Sequence, residues 1–354
     1  MPITIYAPDA LRLAVEGASG GKQTVLYNSK GYPTHMVVIT TFSLNTIDAG
    51  WPATPHPAFI VGGVSKTQIF IGKYQASLLD GCALSLPGVI PANTINYDNS
   101  RAACAANGTG HHLMTNAEWA AIALWCWKNN LQPRGNSNWG KSSDNALDQG
   151  RRNDGVANGT ATGDGKTLTG SGPTTWNHDG TPWGVADLNG NVWEWVGGMR
   201  QNNGEINIIP DNDAAVNTAD QGASSTLWRA LAASDGSLVA PGTAGTLKYD
   251  LASAGGAPQL DDVIDFSGSG GIAFESLAAD AGITVPARLK HLALFPSGSG
   301  LGSDYLYVNN AIEGLPIRGG GWDNGAHAGV FSLHLDYARS LADYLIGFRP
   351  AFVS

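Results

Sequence analysis

The sequence predicts an α+β protein, loop-rich, with two core helices, short strands and a large insertion. Three observations carry this expectation. Strand-type alternation appears towards both ends of the chain, in Gln68–Tyr74 and in Val330–Asp336. A capping-box pattern, Thr115-Asn-Ala-Glu118, opens an apolar run. Between these lie long Gly-, Asn-, Asp-, Ser- and Thr-rich stretches with little periodicity.

Taken in order, Ile3–Tyr6 and Thr24–Tyr27 read as short strand-like pieces, and Met36–Phe42 as a full strand. Trp51–Pro57 is a Pro-rich connector, and Gln68–Tyr74 a second strong strand. Asp98–Ala106 reads as an Ala-rich helix stopping at Asn107-Gly108. The helix from Thr115 runs to about Lys128, with Trp119, Ile122, Ala123 and Cys126 on one stripe. From Gln132 to about Gly184 a long loop is expected to be pinned to the core by Trp139 and Trp176. Residues 201–310 are expected to form the insertion, with one helix-like stretch at Ser224–Ala233. In Val330–Asp336, Phe331, Leu333 and Leu335 alternate with Ser332, His334 and Asp336, which predicts one buried and one exposed face.

Composition narrows the function classes. The chain has 354 residues, 43% of them hydrophobic and only 14% charged, against about 25% charged in an average globular protein, so disorder is not expected. The net charge is −9 and no Lys/Arg run exists, which argues against nucleic-acid binding. No apolar stretch is long enough to span a bilayer, so no membrane insertion is expected. The first residues, Met-Pro-Ile-Thr-Ile-Tyr, lack a basic start and an apolar core, so no signal peptide is expected. Cys82, Cys104 and Cys126 have neither metal-pair nor disulfide spacing and read as buried thiols.

Chemistry-bearing motifs are scarce. There is no G-x-S-x-G elbow, no P-loop, and no HxxxH or HExxH; Gly163-Asp-Gly-Lys-Thr167 lacks the P-loop spacing. The most specific motif is Asn189-Gly-Asn-Val-Trp-Glu-Trp195. One reading is a tight turn feeding a buried Trp pair. The other is a calcium site built from the side chains of Asn189 and Glu194 and the carbonyls of Gly190 and Val192, since hard cations take oxygen ligands.

Five pieces occur in one order: Gln68-Ile-Phe-Ile-Gly-Lys-Tyr74, Leu113-Met-Thr-Asn-Ala-Glu-Trp119, Gly184-Val-Ala-Asp-Leu-Asn-Gly-Asn-Val-Trp-Glu-Trp195, Arg318-Gly-Gly-Gly-Trp322 and Gly347-Phe-Arg349. Together they resemble the formylglycine-generating-enzyme (sulfatase-modifying-factor) branch of the C-type lectin fold, over a span of residues 65–354 interrupted by the insertion. The resemblance implies that fold for residues 35–354, and the family's calcium turn matches Asn189, Gly190, Val192 and Glu194. The family's oxidases use a late cysteine pair with copper. Here no Cys follows Cys126, so no enzyme activity is carried over.

The segment from Arg318 to Arg349 is similar to the variable region of proteins diversified by retroelements, such as phage tropism determinants. That resemblance implies a ligand-binding surface at Gly321, Asp323, Asn324, His327, Ser332, His334, Asp336, Tyr337, Leu341, Asp343, Tyr344 and Leu345, within a variable region 318–349. Adenine-directed randomisation of an Asn codon ending in C never yields Lys, Glu, Gln, Met or Trp, and none of the twelve positions carries one.

The expected function is therefore recognition: a tail-fibre tip protein of a virion, made without a signal peptide, that binds a bacterial surface protein or glycan. A homotrimer attached to other tail proteins through residues 1–34 is expected, with avidity adding to weak single sites. Tyr337 and Tyr344 would give rigid contact area. The rival classes are an oxidase of the same fold and a cellular surface-displayed adhesin.

Overall fold

The computed structural model describes residues 9–354. The strand-like piece expected at Ile3–Tyr6 lies outside the described residues. The architecture is α+β and sheet-rich, with three main sheets and four helices among the described residues. No described helix is long and apolar enough to cross a membrane.

The first sheet is antiparallel and runs Gln23–Tyr27, Pro33–Thr40, Gln68–Gly72, Pro350–Phe352, His111–Leu113. The chain's last strand thus lies between two early ones, which closes the domain. The expected N-terminal attachment or oligomerisation segment, 1–34, is built into this sheet over its described part. Residues 10–34 form a helix, Ala10–Ser19, and an edge strand registered onto Pro33–Thr40, so they are part of the domain. The helix was not expected; Gly20 ends it in the left-handed conformation at φ 62°.

The helix Asn116–Lys128 starts as its local sequence dictates. Thr115 Oγ1 accepts from Glu118 N, and the Glu118 carboxylate accepts from Thr115 N at 2.9 Å. It is buried beyond the expected stripe, with every residue from Asn116 to Leu124 in the interior. A helix that is apolar on most of its circumference belongs at the centre of a domain, and this one packs in the main core. The other expected helix is Tyr97–Ala105, capped by Asn96.

The second sheet runs Ser269–Ala273, Tyr305–Asn309, Gly329–Leu335, Ile317–Gly319, Trp193–Trp195, Ile346–Phe348. The third is built on Glu205–Ile208, with Arg229–Leu231 and Lys248–Leu251 as its neighbours. Residues 201–310, the span expected to be an insertion, are packed into the body of the domain. Ile206, Tyr249, Leu260 and Phe274 share one core with Trp119 and Ile122, and two strands of this span enter the second sheet. The helix expected at Ser224–Ala233 is absent. Arg229–Leu231 is a strand between Glu205–Ile208 and Leu238–Val239, and Trp228 is fully buried; tertiary pairing overrides a weak local preference. The loop from Gln132 to Gly184 is pinned as expected: Trp176 is buried, and Trp139 meets Trp322 edge-on at 6.5 Å.

Candidate functional site

The turn before Trp193–Trp195 organises the base of the candidate site. Gly190 has φ +74°, and a Cβ there would lie 2.1 Å from Asn136 O, so only glycine fits. Trp193 and Trp195 are buried as one reading of the motif requires.

The calcium reading does not fit. The carbonyls of Gly190 and Val192 and the carboxylate of Glu194 do converge, but on the amide of Gln75. Its Nε2 donates to Val192 O at 2.9 Å, Glu194 Oε1 at 3.0 Å and Gly190 O at 3.4 Å. Gln75 Oε1 accepts from Asn191 Nδ2 at 2.8 Å, which fixes the amide's orientation. Glu194 is already neutralised: Arg349 Nη2 and Nε donate to its two oxygens at 2.6 and 2.9 Å. Asn189 turns its Nδ2 to Pro133 O, and its Oδ1 has no hydrogen-bond partner. An ion needs oxygens at 2.3–2.6 Å around a free centre, and here a side-chain NH₂ occupies that centre.

Above this base, Gly329–Leu335 carries the proposed recognition face. Phe331, Leu333 and Leu335 are buried, as the alternation requires. Two of the twelve predicted positions are not at the surface. Ser332 is fully buried; its Oγ donates to His327 O at 2.5 Å and accepts from Tyr305 N at 3.4 Å, so the turn Gly325–His327 and the start of the neighbouring strand close around it. Gly321 is also buried, its N–H held by Asn324 Oδ1 at 2.7 Å. Asp323, His327 and Tyr344 are exposed, and Asn324, His334, Asp336, Tyr337, Leu341, Asp343 and Leu345 are half-buried.

Several of these side chains also hold the fold. Tyr337, Leu341 and Leu345 pack against the cluster containing Trp193 and Ile346. Asp343 Oδ1 accepts from Leu345 N at 2.8 Å and its carbonyl accepts from Thr94 N.

Sequence reasoning missed three aromatic members of the face. Tyr305 stacks on His327 at 4.3 Å and touches Tyr307 at 4.7 Å. Tyr307 meets His334 at 4.4 Å, and Trp193 meets it at 5.5 Å. His334 in turn contacts Tyr337 at 4.4 Å, while Tyr344 lies 5.7 Å from Trp322. The alternation in Tyr305-Leu-Tyr-Val308 is the signal that could have found the two tyrosines, since it puts both on one side of a strand.

Electrostatically the face is acidic. Burial, reinforced by Asp343, raises Asp323 above the usual carboxylate range. Burial and then Asp343, Asp336 and Asp323 push Tyr337 up. Among the described residues none of these three carboxylates pairs with Lys or Arg; only His334 Nε2 approaches Asp336, at 3.6 Å. His334 Nδ1 and Asp336 Oδ1 have no hydrogen-bond partner. Rings and unpaired acceptors on one face suit binding by stacking and directional hydrogen bonds, with preference for cationic groups. A cleft of about 430 Å³ beside Ile39, Phe42, Trp125 and His178 contains none of these residues.

The sequence matches no protein-family model and is similar to no curated protein. Among solved structures, Treponema denticola variable protein 1 aligns with a TM-score of 0.34 at 13% identity, covering 93% of this chain and 98% of that chain. At that score the likeness assigns no fold.

Proposed function

We infer that the chain is a ligand-binding protein of the retroelement-diversified kind, with a C-type-lectin architecture resembling that of formylglycine-generating enzymes. Its ligand is a bacterial surface protein or glycan, and its setting is the tip of a phage tail fibre. Homotrimers and several fibres per virion would multiply a weak single contact.

One observation carries the reading. Ten of the twelve proposed variable positions reach solvent, whereas the apolar residues between them in the strand, Phe331, Leu333 and Leu335, are at most 1% exposed. At the positions clear of the core, such as Asp323, His327 and Tyr344, a surface of that kind tolerates exchange of contact residues without repacking the interior. Tyr, His, Asp and Asn dominate it, a mixture of aromatic anchors and adaptable polar groups suited to varied partners.

The test is adsorption of labelled full-length protein to a panel of bacterial cells and to a glycan array. At least one surface should retain the protein, and a combined His327→Ala, Tyr344→Ala variant should lose at least ten-fold in retention. Retention indifferent to both substitutions would place the contact elsewhere and reject this face as the recognition site.

A further inference from the structure

Three carboxylates gather in the third sheet, far in sequence from the turn where calcium was expected. Asp250 lies in the strand Lys248–Leu251, Asp261 ends the strand Pro258–Asp261, and Asp265 lies in the loop that follows. One oxygen from each lies within 4.8 Å of the others, so one ion at 2.3–2.6 Å can reach all three.

A second observation points to a ligand. Asp250 is fully buried, and its Oδ2 has no hydrogen-bond partner. Its Oδ1 accepts from Phe266 N at 3.1 Å, so the loop is folded onto one oxygen and the other is left over. Asp261 is 4% exposed, and its Oδ1 accepts from Asp262 N at 2.6 Å. Among the described residues no Lys, Arg or His pairs with any of the three. Lys248, opposite Asp261 in register, sends its Nζ to the carbonyls of Thr246 and Asp262 instead. Buried charge without a partner is costly, and a divalent cation removes that cost.

We propose that Asp250, Asp261 and Asp265 bind one calcium ion that fastens the loop 262–268 to the third sheet. The donors are hard carboxylates on a loop, which suits calcium's flexible coordination better than the strict octahedron of magnesium. Exposed Asp265 provides the entry side. The loop leads into Ser269–Ala273, which pairs with the strand bearing Tyr305 and Tyr307. Asn310 ties the two together, donating to Phe266 O and accepting from Gly268 N. The ion would thus brace one edge of the aromatic face.

The test is calorimetric titration of chelator-stripped full-length protein with calcium chloride, with the melting temperature followed in parallel. One ion per chain and a rise in melting temperature are expected. Asp265→Asn, at an exposed position, should fold normally and weaken binding at least ten-fold. Asp250→Asn should abolish binding, while its metal-free form is at least as stable as metal-free wild type, because repulsion is relieved. Absence of both heat and thermal shift up to about 10 mM calcium, beyond the range of weak protein sites, overturns the proposal. So does binding that both variants retain, or a stability gain on acidification with no response to calcium, which would identify a shared proton.

Discussion

Glu194 and Arg349, 155 residues apart in sequence, form a buried bidentate ion pair beneath the proposed recognition face. Both side chains are at most 1% exposed, and Arg349 also donates to the carbonyls of Gly72 and Ala186. It therefore joins the first sheet, the glycine turn and the C-terminal strand. Removing one partner strands the other charge in the interior. Arg349→Met should cost about 3–5 kcal/mol in urea unfolding, and the double variant with Glu194→Leu should recover part of that loss. A double variant that loses the sum of the two single losses would mean that the two charges are not coupled.

Gln75 carries the role that an ion was expected to fill at Asn189–Glu194. Gln75→Ala leaves the carbonyls of Asp187, Gly190 and Val192 and a carboxylate oxygen of Glu194 short of a buried donor, at a cost of about 2–4 kcal/mol. Calcium should not restore the loss in a background carrying Asp265→Asn. Rescue by calcium in that background would show that the turn is a cation site after all.

Tyr337 and Tyr344 should separate binding from stability to different degrees. Tyr344 is 58% exposed, so Tyr344→Ala should change unfolding free energy by less than about 0.5 kcal/mol while reducing cell adsorption. Tyr337 packs partly against the core, so Tyr337→Ala should cost about 1 kcal/mol as well as binding. Trp195→Ala, at a fully buried aromatic, should cost about 3–5 kcal/mol. Denaturation curves for the three variants check the ranking.

Asp304 gives the protein a pH dependence. It is buried under Gly329–Leu335 and accepts from Phe331 N at 2.6 Å. Burial pushes its carboxyl up to about 8. The unfolded chain releases this proton near pH 4, so between about 4 and 8 the folded state holds one more proton. Stability therefore falls as pH rises through that window, by at most about 1.4 kcal/mol per pH unit. Asp304→Asn keeps an acceptor for Phe331 N–H and should flatten the decline in melting temperature between pH 5 and pH 8. Identical slopes in variant and wild type would remove Asp304 as the cause.

Features that depend on near neighbours were legible in the sequence. The capping box at Thr115 and Glu118, the strand Gln68–Gly72 and the buried row Phe331, Leu333, Leu335 follow from hydrogen bonds and periodicities spanning a few residues. Ser332 shows the limit of that reasoning. Alternation placed it on the outer face, but its hydroxyl is held there by His327 O and Tyr305 N, groups brought in by the turn before the strand and by the adjacent strand. The same strand brings Tyr305 and Tyr307 into the site, which residues 318–349 alone could not reveal.

The chain's own order of residues determined the core helix, the alternating strand beneath the proposed recognition face and the oxygen-rich turn at Asn189–Glu194. Tertiary structure alone decided that Gln75 and Arg349 satisfy that turn, that residues 201–310 complete the core, and that Asp250, Asp261 and Asp265 meet. The division is physical. Local patterns are set by backbone geometry over one or two turns, whereas the partner of a buried charge or carbonyl is whichever group long-range packing brings within about 3 Å.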